Sequence, residues 1–184
     1  LDLLADFPGW VTPASGWYAA NTTLTITVDM PVGYCYFYGW TGAVSETEMS
    51  FTTNVIQPFS VTALIGSDLA TNGVPLWWLA TNGWTSDFDI AATNDADGDG
   101  MATWEEYYAD TVPTDQLSVL RITNVVSMSG NVRVGWCGGP RAWQYLEHAT
   151  NLPTTNTMWT ALWSNPPPNA TGTNIVDSTA TNAI

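Results

Sequence analysis

The sequence contains no lysine, three arginines and one histidine, whereas aspartate and glutamate together contribute 17 residues. The formal net charge of the 184 residues is therefore −14. Nucleic acids and anionic lipid headgroups are bound mainly through Lys and Arg, so this composition argues against both partners. A surface with this charge favours cations instead.

Long apolar runs are also missing, since none approaches the roughly 18 residues that a membrane span requires. No signal peptide is visible, and the start at Leu1 indicates a mature or excised segment. The near absence of Lys and Arg leaves few sites for trypsin-like proteases. Together with the acidic surface, this favours an extracellular or cell-surface location.

Cysteine is sparse, with only Cys35 and Cys137 in the chain. Two interpretations stay open. The two residues form one disulfide in an oxidising compartment, or they are two buried thiols.

Catalytic groups are scarce as well. His148 is the only histidine, and the neighbouring Glu147 points to the opposite face of the same predicted strand. The chain has no serine elbow, Cys–His pair or metal–histidine cluster. The sequence therefore predicts a non-catalytic protein.

What the chain does contain is β-structure at both ends. Residues 22–28 alternate between Leu24, Ile26 and Val28 and three threonines, which predicts a half-buried strand. Strands are also predicted at 34–40, 51–53, 60–65, 118–126, 132–136, 143–148 and 158–163. The fold class is mainly β, with two small antiparallel, β-sandwich-like domains at 1–66 and 117–184, the second lacking a predicted last strand.

The segment 67–116 differs from its flanks and predicts short helices. Pro75 stands just before an apolar stretch and Gly83 just after it, which predicts a helix over 75–81. Ser86 and Asp89 are candidate caps for a second helical turn. Met101, Trp104 and Tyr108 recur as on one face of a third helix, which Pro113 is expected to end.

A calcium loop is predicted between the last two of these helices. Asp95, Asp97 and Asp99 occupy positions 1, 3 and 5 of a twelve-residue loop, with a glycine at position 6. Met101 at position 7 supplies a backbone carbonyl, and Glu106 at position 12 supplies a carboxylate that can bind with both oxygens. Ca²⁺ is a hard cation that takes six to eight oxygen ligands, so this spacing predicts a Ca²⁺ site.

Three further residues are weaker candidates for metal binding. Thr103 occupies position 9 of the loop, and Asp110 and Asp115 follow Glu106 along the chain. The two aspartates can add a ligand or belong to a second ion. The alternative, that they are ordinary turn and capping residues, is favoured for both.

The middle segment resembles the calcium segment of dockerin-like and thrombospondin type 3-like modules of secreted bacterial proteins. The resemblance is carried by Gly73-Val-Pro75-Leu-Trp77-Trp78, the loop itself, Trp104-Glu-Glu106-Tyr107 and Asp110-Thr111-Val-Pro113-Thr114-Asp115. It implies a structural calcium site.

The flanking domains resemble two other modules of bacterial surface proteins. Gly16-Trp17-Tyr18, the 22–28 strand and Phe37-Tyr-Gly-Trp40 resemble an internalin B-type repeat. Tyr145-Leu-Glu-His148, Asn151-Leu152 and Trp159 resemble a fibronectin-like β-sandwich. These resemblances imply a structural or adhesive module, which can be a repeating subunit of an extracellular fibre whose copies exchange strands.

A carbohydrate-binding module of a secreted enzyme is the alternative function. The chain has 11 tryptophans, and flat exposed rings bind polysaccharides by stacking on sugar faces. Trp10, Trp17, Trp84 and Trp163 lie near predicted turns and are the candidates. Packing in the core is the competing role for the tryptophans, and it fits Trp40, Trp78, Trp104 and Trp136.

Overall fold

A computed structural model describes residues 2–5, 10–31, 33–149, 158–170 and 172–178. Leu1, Asn151 and Leu152, on which parts of the sequence predictions depend, lie outside these ranges. Strands hold about 40% of the described residues and helices about 14%, so the mainly-β prediction is confirmed. The chain divides into two compact units, Leu1–Gly83 and Trp84–Ile184. The boundary falls inside the predicted 67–116 segment.

The described strands of the first unit are β1 (Asp2–Ala5), β2 (Val11–Thr12), β3 (Thr23–Val28), β4 (Cys35–Gly42), β5 (Ser50–Asn54) and β6 (Ser60–Ser67). They form two small sheets. One has the order β2-β3-β5 and is antiparallel, and the other has the order β1-β6-β4. In the β1-β6-β4 sheet, β4 and β6 are antiparallel, but β1 pairs in parallel with β6, a pairing that the antiparallel prediction did not include.

The core of this unit follows the alternation of β3. Leu24, Ile26 and Val28 are buried, and they pack with Trp40 of β4 and Val61 of β6. The opposite face is polar: Thr25 is hydrogen-bonded to Thr52 and Thr27 to Ser50, across β3 and β5. The half-buried strand predicted over 22–28 is confirmed.

Three short α-helices lie between the two groups of strands: α1 (Leu76–Thr81), α2 (Phe88–Thr93) and α3 (Thr103–Ala109). α1 belongs to the first unit, and Pro75 precedes its first residue as predicted. Asp87, rather than Ser86 or Asp89, is the residue that precedes α2. α3 ends four residues before Pro113, because Asp110 takes a left-handed conformation with φ of 56°, so the predicted stop at Pro113 was wrong. No helix among the described residues is long and apolar enough to cross a membrane.

The described strands of the second unit are β7 (Arg121–Met128), β8 (Asn131–Cys137), β9 (Gln144–His148), β10 (Thr160–Asn165) and β11 (Gly172–Asp177). They form two antiparallel sheets, with the orders β11-β8-β7 and β10-β9. Trp136 of β8 links the sheets: its indole N–H donates to Gln144 Oε1 at 3.0 Å, and its ring packs edge-to-face against that of Trp163. β11 was not predicted from the sequence.

Cys35 and Cys137 are free thiols, so the disulfide considered in the sequence analysis is not formed in this structure. Cys35 lies on β4 in the first unit and Cys137 on β8 in the second. Burial raises the pKa of the Cys35 thiol, which makes it less reactive. The Cys137 thiol donates to the carbonyl of Val119 at 3.2 Å.

The core of the first unit gives a direct stability prediction. Ile26 is fully buried, so Ile26→Ala removes apolar contacts and leaves a cavity. We expect the free energy of unfolding to fall by about 2–5 kcal/mol. Ile56→Ala is the matched control, because Ile56 is 76% exposed, and we expect a change within about 0.5 kcal/mol. Denaturant titration of both variants measures the difference, and equal losses would contradict the assignment of this core.

Candidate metal centre

The acidic loop Asp95–Ala102 lies between α2 and α3, and one residue closes its two ends. The carbonyl of Asn94 accepts hydrogen bonds from the backbone N–H of Thr103 at 2.9 Å and from its hydroxyl at 3.0 Å. Thr103 is fully buried. Its hydroxyl therefore braces the loop, which is a different role from the ligand predicted at position 9.

Asp95 shapes the first turn of the loop. Its carboxylate accepts hydrogen bonds from the backbone N–H groups of Gly98 at 2.8 Å and Gly100 at 2.9 Å. Both glycines have positive φ angles, 80° and 100°, which L side chains rarely adopt. Glycine at these positions lets the backbone curl around the carboxylate and turn its N–H groups towards it.

Asp97 and Asp99 each use one carboxylate oxygen within the loop and leave the other unpaired. Asp97 Oδ1 accepts from the N–H of Asp99 at 3.2 Å, and Asp99 Oδ1 accepts from the N–H of Met101 at 2.7 Å. Asp97 Oδ2 and Asp99 Oδ2 are buried and have no hydrogen-bond partner among the described residues. One carboxylate oxygen from each of Asp95, Asp97 and Asp99 lies within 4.8 Å of the others.

Glu106, in the first turns of α3, lies outside the group of three aspartates within 4.8 Å of one another, but it interacts with their charges. It is fully buried; Oε1 accepts a long hydrogen bond from the Thr111 hydroxyl at 3.4 Å, and Oε2 has no partner in the described part of the chain. Burial, followed by the charges of Asp97 and Asp99, raises the pKa of Glu106 to about 8. We call Asp95, Asp97, Asp99 and Glu106 the acidic cluster.

Met101, the predicted position 7, is held at the junction of loop and helix. Its N–H donates to Asp99, and its sulfur accepts a contact from the N–H of Leu120 at 3.3 Å. The loop is also tied to the segment that follows α3, because the Gln116 amide donates to the carbonyl of Gly98 at 3.2 Å. These contacts fix both sides of the curled backbone.

Asp110 and Asp115, the candidates for additional ligands, have other partners. Asp110 accepts from the backbone N–H of Arg141 at 2.8 Å and lies 2.7 Å from its guanidinium. Asp115 accepts from the N–H of Leu117 at 3.1 Å within a turn. The acidic group that the described residues bring together contains neither of them. Asp115 therefore has the turn role favoured from the sequence, whereas the Asp110 side chain has a long-range partner that the sequence did not predict.

The chemistry of the acidic cluster fits a hard cation. Three buried carboxylate oxygens, one each from Asp97, Asp99 and Glu106, have no hydrogen-bond donor in the described ranges of the chain. Leaving such atoms unpaired is costly, and their charges repel one another. All four side chains offer oxygen, which suits Ca²⁺ or Mg²⁺ rather than metals that prefer nitrogen or sulfur.

Sequence reasoning missed the residues that support the cluster. Three of these supporting residues lie outside the twelve positions of the loop pattern, so its spacing rule does not identify them: Asn94, Thr111 and Gln116. Arg141, which holds Asp110, is 31 residues away along the chain. Only the charge of Arg141, one of three basic side chains in an acidic protein, could have drawn attention to it.

Comparison with known proteins returned no matching family model, curated protein or solved structure for this chain. The resemblances to dockerin-like, internalin B-type and fibronectin-like modules therefore stay predictions.

The raised pKa of Glu106 predicts how pH affects the metal-free protein. Its ordinary pKa is 4.5, and the folded value is about 8. Between these values the folded state binds more protons than the unfolded state, so stability falls as pH rises. With a chelator present, we expect the second unit to lose at least about 1 kcal/mol between pH 5 and pH 8.

Glu106→Gln is the control for this prediction, because it keeps the size of the side chain and removes its ionisation. We expect the variant to lose less stability than the parent over the same pH range. Every other titrating group is common to both proteins, so the difference between them reports Glu106. Scanning calorimetry with chelator at several pH values measures it, and identical pH profiles would show that this carboxyl does not carry the effect.

Proposed function

We propose that this chain is a calcium-stabilised, non-catalytic structural module of a secreted bacterial surface protein. The observation that carries the proposal is the set of buried oxygens without donors on Asp97, Asp99 and Glu106. One Ca²⁺ bound by the acidic cluster and the backbone carbonyl of Met101 supplies what those oxygens lack. The ion contributes positive charge and coordination, and its role is structural.

Calcium is proposed over magnesium because of the nature of the ligands. The loop offers carboxylates and a carbonyl on an irregular backbone, and Ca²⁺ accepts six to eight oxygens in variable geometry. Mg²⁺ demands near-ideal octahedral geometry and gives up its water reluctantly. Loops of extracellular modules bind Ca²⁺ with dissociation constants on the order of 10⁻⁴–10⁻³ M, which matches an environment rich in calcium.

Binding at this loop is expected to stabilise more than the loop. α3 follows it directly, and the C-terminal end of α3 is fixed to the β8–β9 connection through Asp110 and Arg141. At the same place Gly139 lies so close to the carbonyls of Ala109 and Asp110 that a Cβ atom would overlap them. An ion that holds the start of α3 therefore supports contacts that reach the sheets of the second unit.

Composition supports the proposed location and surface role. A net charge of −14 with no lysine suits a surface exposed to millimolar cations rather than one that binds nucleic acid. The carboxylates that come together are the ones that the ion would occupy, so they are not available for acid–base chemistry. Assembly into a fibre by strand exchange stays a prediction of the sequence.

Calcium titration tests the proposed function. Asp97→Asn removes one carboxylate without changing the size of the side chain. At a calcium concentration about 100-fold above the dissociation constant, the parent gains about 2.7 kcal/mol of stability. We expect the variant to lack this gain, and to be at least as stable as the parent in chelator because one repulsive charge is gone. Thermal melting with calcium, magnesium or chelator measures all three effects.

Glu48→Gln is the matched control, since it removes one exposed negative charge from the first unit. The control should respond to calcium as the parent does, which separates binding at the loop from general screening of the acidic surface. A calcium gain in Asp97→Asn equal to that of the parent would show that the ion binds elsewhere or only screens charge.

A further inference from the structure

An open groove of about 870 Å³ lies on the second unit. α3 and the end of the metal loop line it, together with the residues around the start of β7 and the β9 strand. The volume falls in the range typical of sites for small ligands. Six aromatic side chains contribute to its lining: Trp104, Tyr108, Trp136, Trp143, Tyr145 and Trp159.

Four of these six rings are exposed to solvent. Tyr108 is 57% exposed, Trp143 57%, Tyr145 61% and Trp159 56%. The rings of Trp143 and Tyr145 are nearly parallel, with 15° between their planes, and their centroids are 6.2 Å apart. The two rings therefore form a stacked pair, and both contribute exposed aromatic surface to the groove.

Polar side chains accompany this surface. Glu105 and Glu147 line the groove and can accept hydrogen bonds from hydroxyl groups, and Arg121 can donate them. Glu105 is held in place, because its Oε2 accepts the N–H of Ala102 at 2.8 Å. Gln144 is buried and bonded to Trp136, Gly139 and Asn165, so it holds the floor of the groove in position.

We propose that this groove binds a neutral oligosaccharide. Pyranose rings with equatorial hydroxyls carry a flat face of C–H groups, whose partial positive charge suits the negative face of an aromatic ring. Their hydroxyls suit the carboxylates and the guanidinium beside that surface. The protein's charge of −14 disfavours uronic acid and sulfated polymers, which leaves neutral sugars as the complementary class.

This site differs from the one that the tryptophans suggested in the sequence. Two of the four candidates named there have packing partners. The ring centroids of Trp10 and Trp77 are 4.9 Å apart, and those of Trp163 and Trp136 are 5.4 Å apart. Trp17 is 98% exposed but belongs to the first unit and is not one of the residues that line the groove. Trp84 does not line the groove.

A second copy of the chain is the competing occupant, since β7 is an edge strand with exposed Ile122 and Val125. The polar groups favour the sugar. A strand from a second copy would place an acidic protein against Glu105 and Glu147 and would remove both carboxylates from water. Among the lining residues only Arg121 is basic, so it can compensate for one of these two charges. A sugar with many hydroxyls can hydrogen-bond to them.

Isothermal titration of the intact, calcium-loaded chain with cellohexaose and mannohexaose tests the proposal. We expect binding of at least one hexamer, weakened about tenfold or more by Trp143→Ala or Trp159→Ala because each removes one stacking ring. Trp143→Phe should recover part of the loss, since it restores an aromatic face. Trp17→Ala is the matched control and should bind as the parent does. Melting curves of all variants serve as the control for folding, and we expect melting temperatures close to that of the parent.

Several outcomes would overturn the proposal. They are the absence of binding by both hexamers, equal weakening in Trp17→Ala, and equally tight binding of oligogalacturonate. Sedimentation velocity of the same samples examines the competing occupant. A dimer that Trp143→Ala disrupts, without sugar binding by the parent, would assign the groove to a second copy. The sugar titrations test a different claim from the calcium proposal. If the loop had no affinity for calcium, we would still expect the Trp143 and Trp159 variants to bind sugar more weakly than the parent and the Trp17 variant.

Discussion

The second unit depends on a buried glutamate that lies within reach of the charges of three aspartates. Glu106 is carried into the interior by α3, and the loop before α3 supplies Asp95, Asp97 and Asp99, whose carboxylates come together and whose charges act on Glu106. A buried carboxylate stays charged only if positive charge or hydrogen bonds compensate for the water it has lost. Here the hydrogen bonds stop short, since one oxygen on each of three side chains has no donor among the described residues. Protonation of Glu106 relieves part of this cost, and the divalent cation that we propose would relieve more of it.

The effect of that arrangement reaches the sheets through α3. Thr103, Glu106 and Ala109 form the buried side of the helix, while Trp104, Glu105 and Tyr108 line the groove. Beyond its last residue, Asp110 binds Arg141, and the carbonyls of Ala109 and Asp110 leave no space for a side chain at residue 139. A helix of only seven residues has little stability of its own. Its position is therefore set by contacts at its two ends, and the hydrogen bonds from Thr103 to the Asn94 carbonyl are those at the start.

Local patterns account for the parts of the molecule that the sequence predicted well. The alternation of β3 gives its buried and exposed faces directly, because side chains point to opposite sides of a strand. The acidic loop is equally local: three aspartates and two glycines within six residues determine the turn and bring the carboxylates together. Glu106 follows from the same pattern, since the first turns of α3 return it to the loop.

Contacts between distant residues account for most of what sequence reasoning missed. Asp110 was a weak candidate for a metal ligand, and its partner Arg141, 31 positions away along the chain, was not predicted. β11 has few apolar residues, and its pairing with β8 joins Thr173 to Trp136 across a long separation that its composition does not signal. The left-handed conformation of Asp110 ends α3 before Pro113 can do so. No periodicity encodes any of these features, because each depends on a neighbour supplied by the fold.

The tryptophans show why residue type alone does not locate a binding surface. Trp40 and Trp136 are buried and hydrogen-bonded, so their rings contribute to packing. Trp143, two positions before Tyr145, and Trp159, just before β10, instead remain half-exposed, and the fold brings them to one groove with α3. α3 carries both a buried carboxylate for the acidic cluster and aromatic side chains for the groove. The position of one wall of the groove therefore depends on α3, whose buried Glu106 takes part in the proposed cation site.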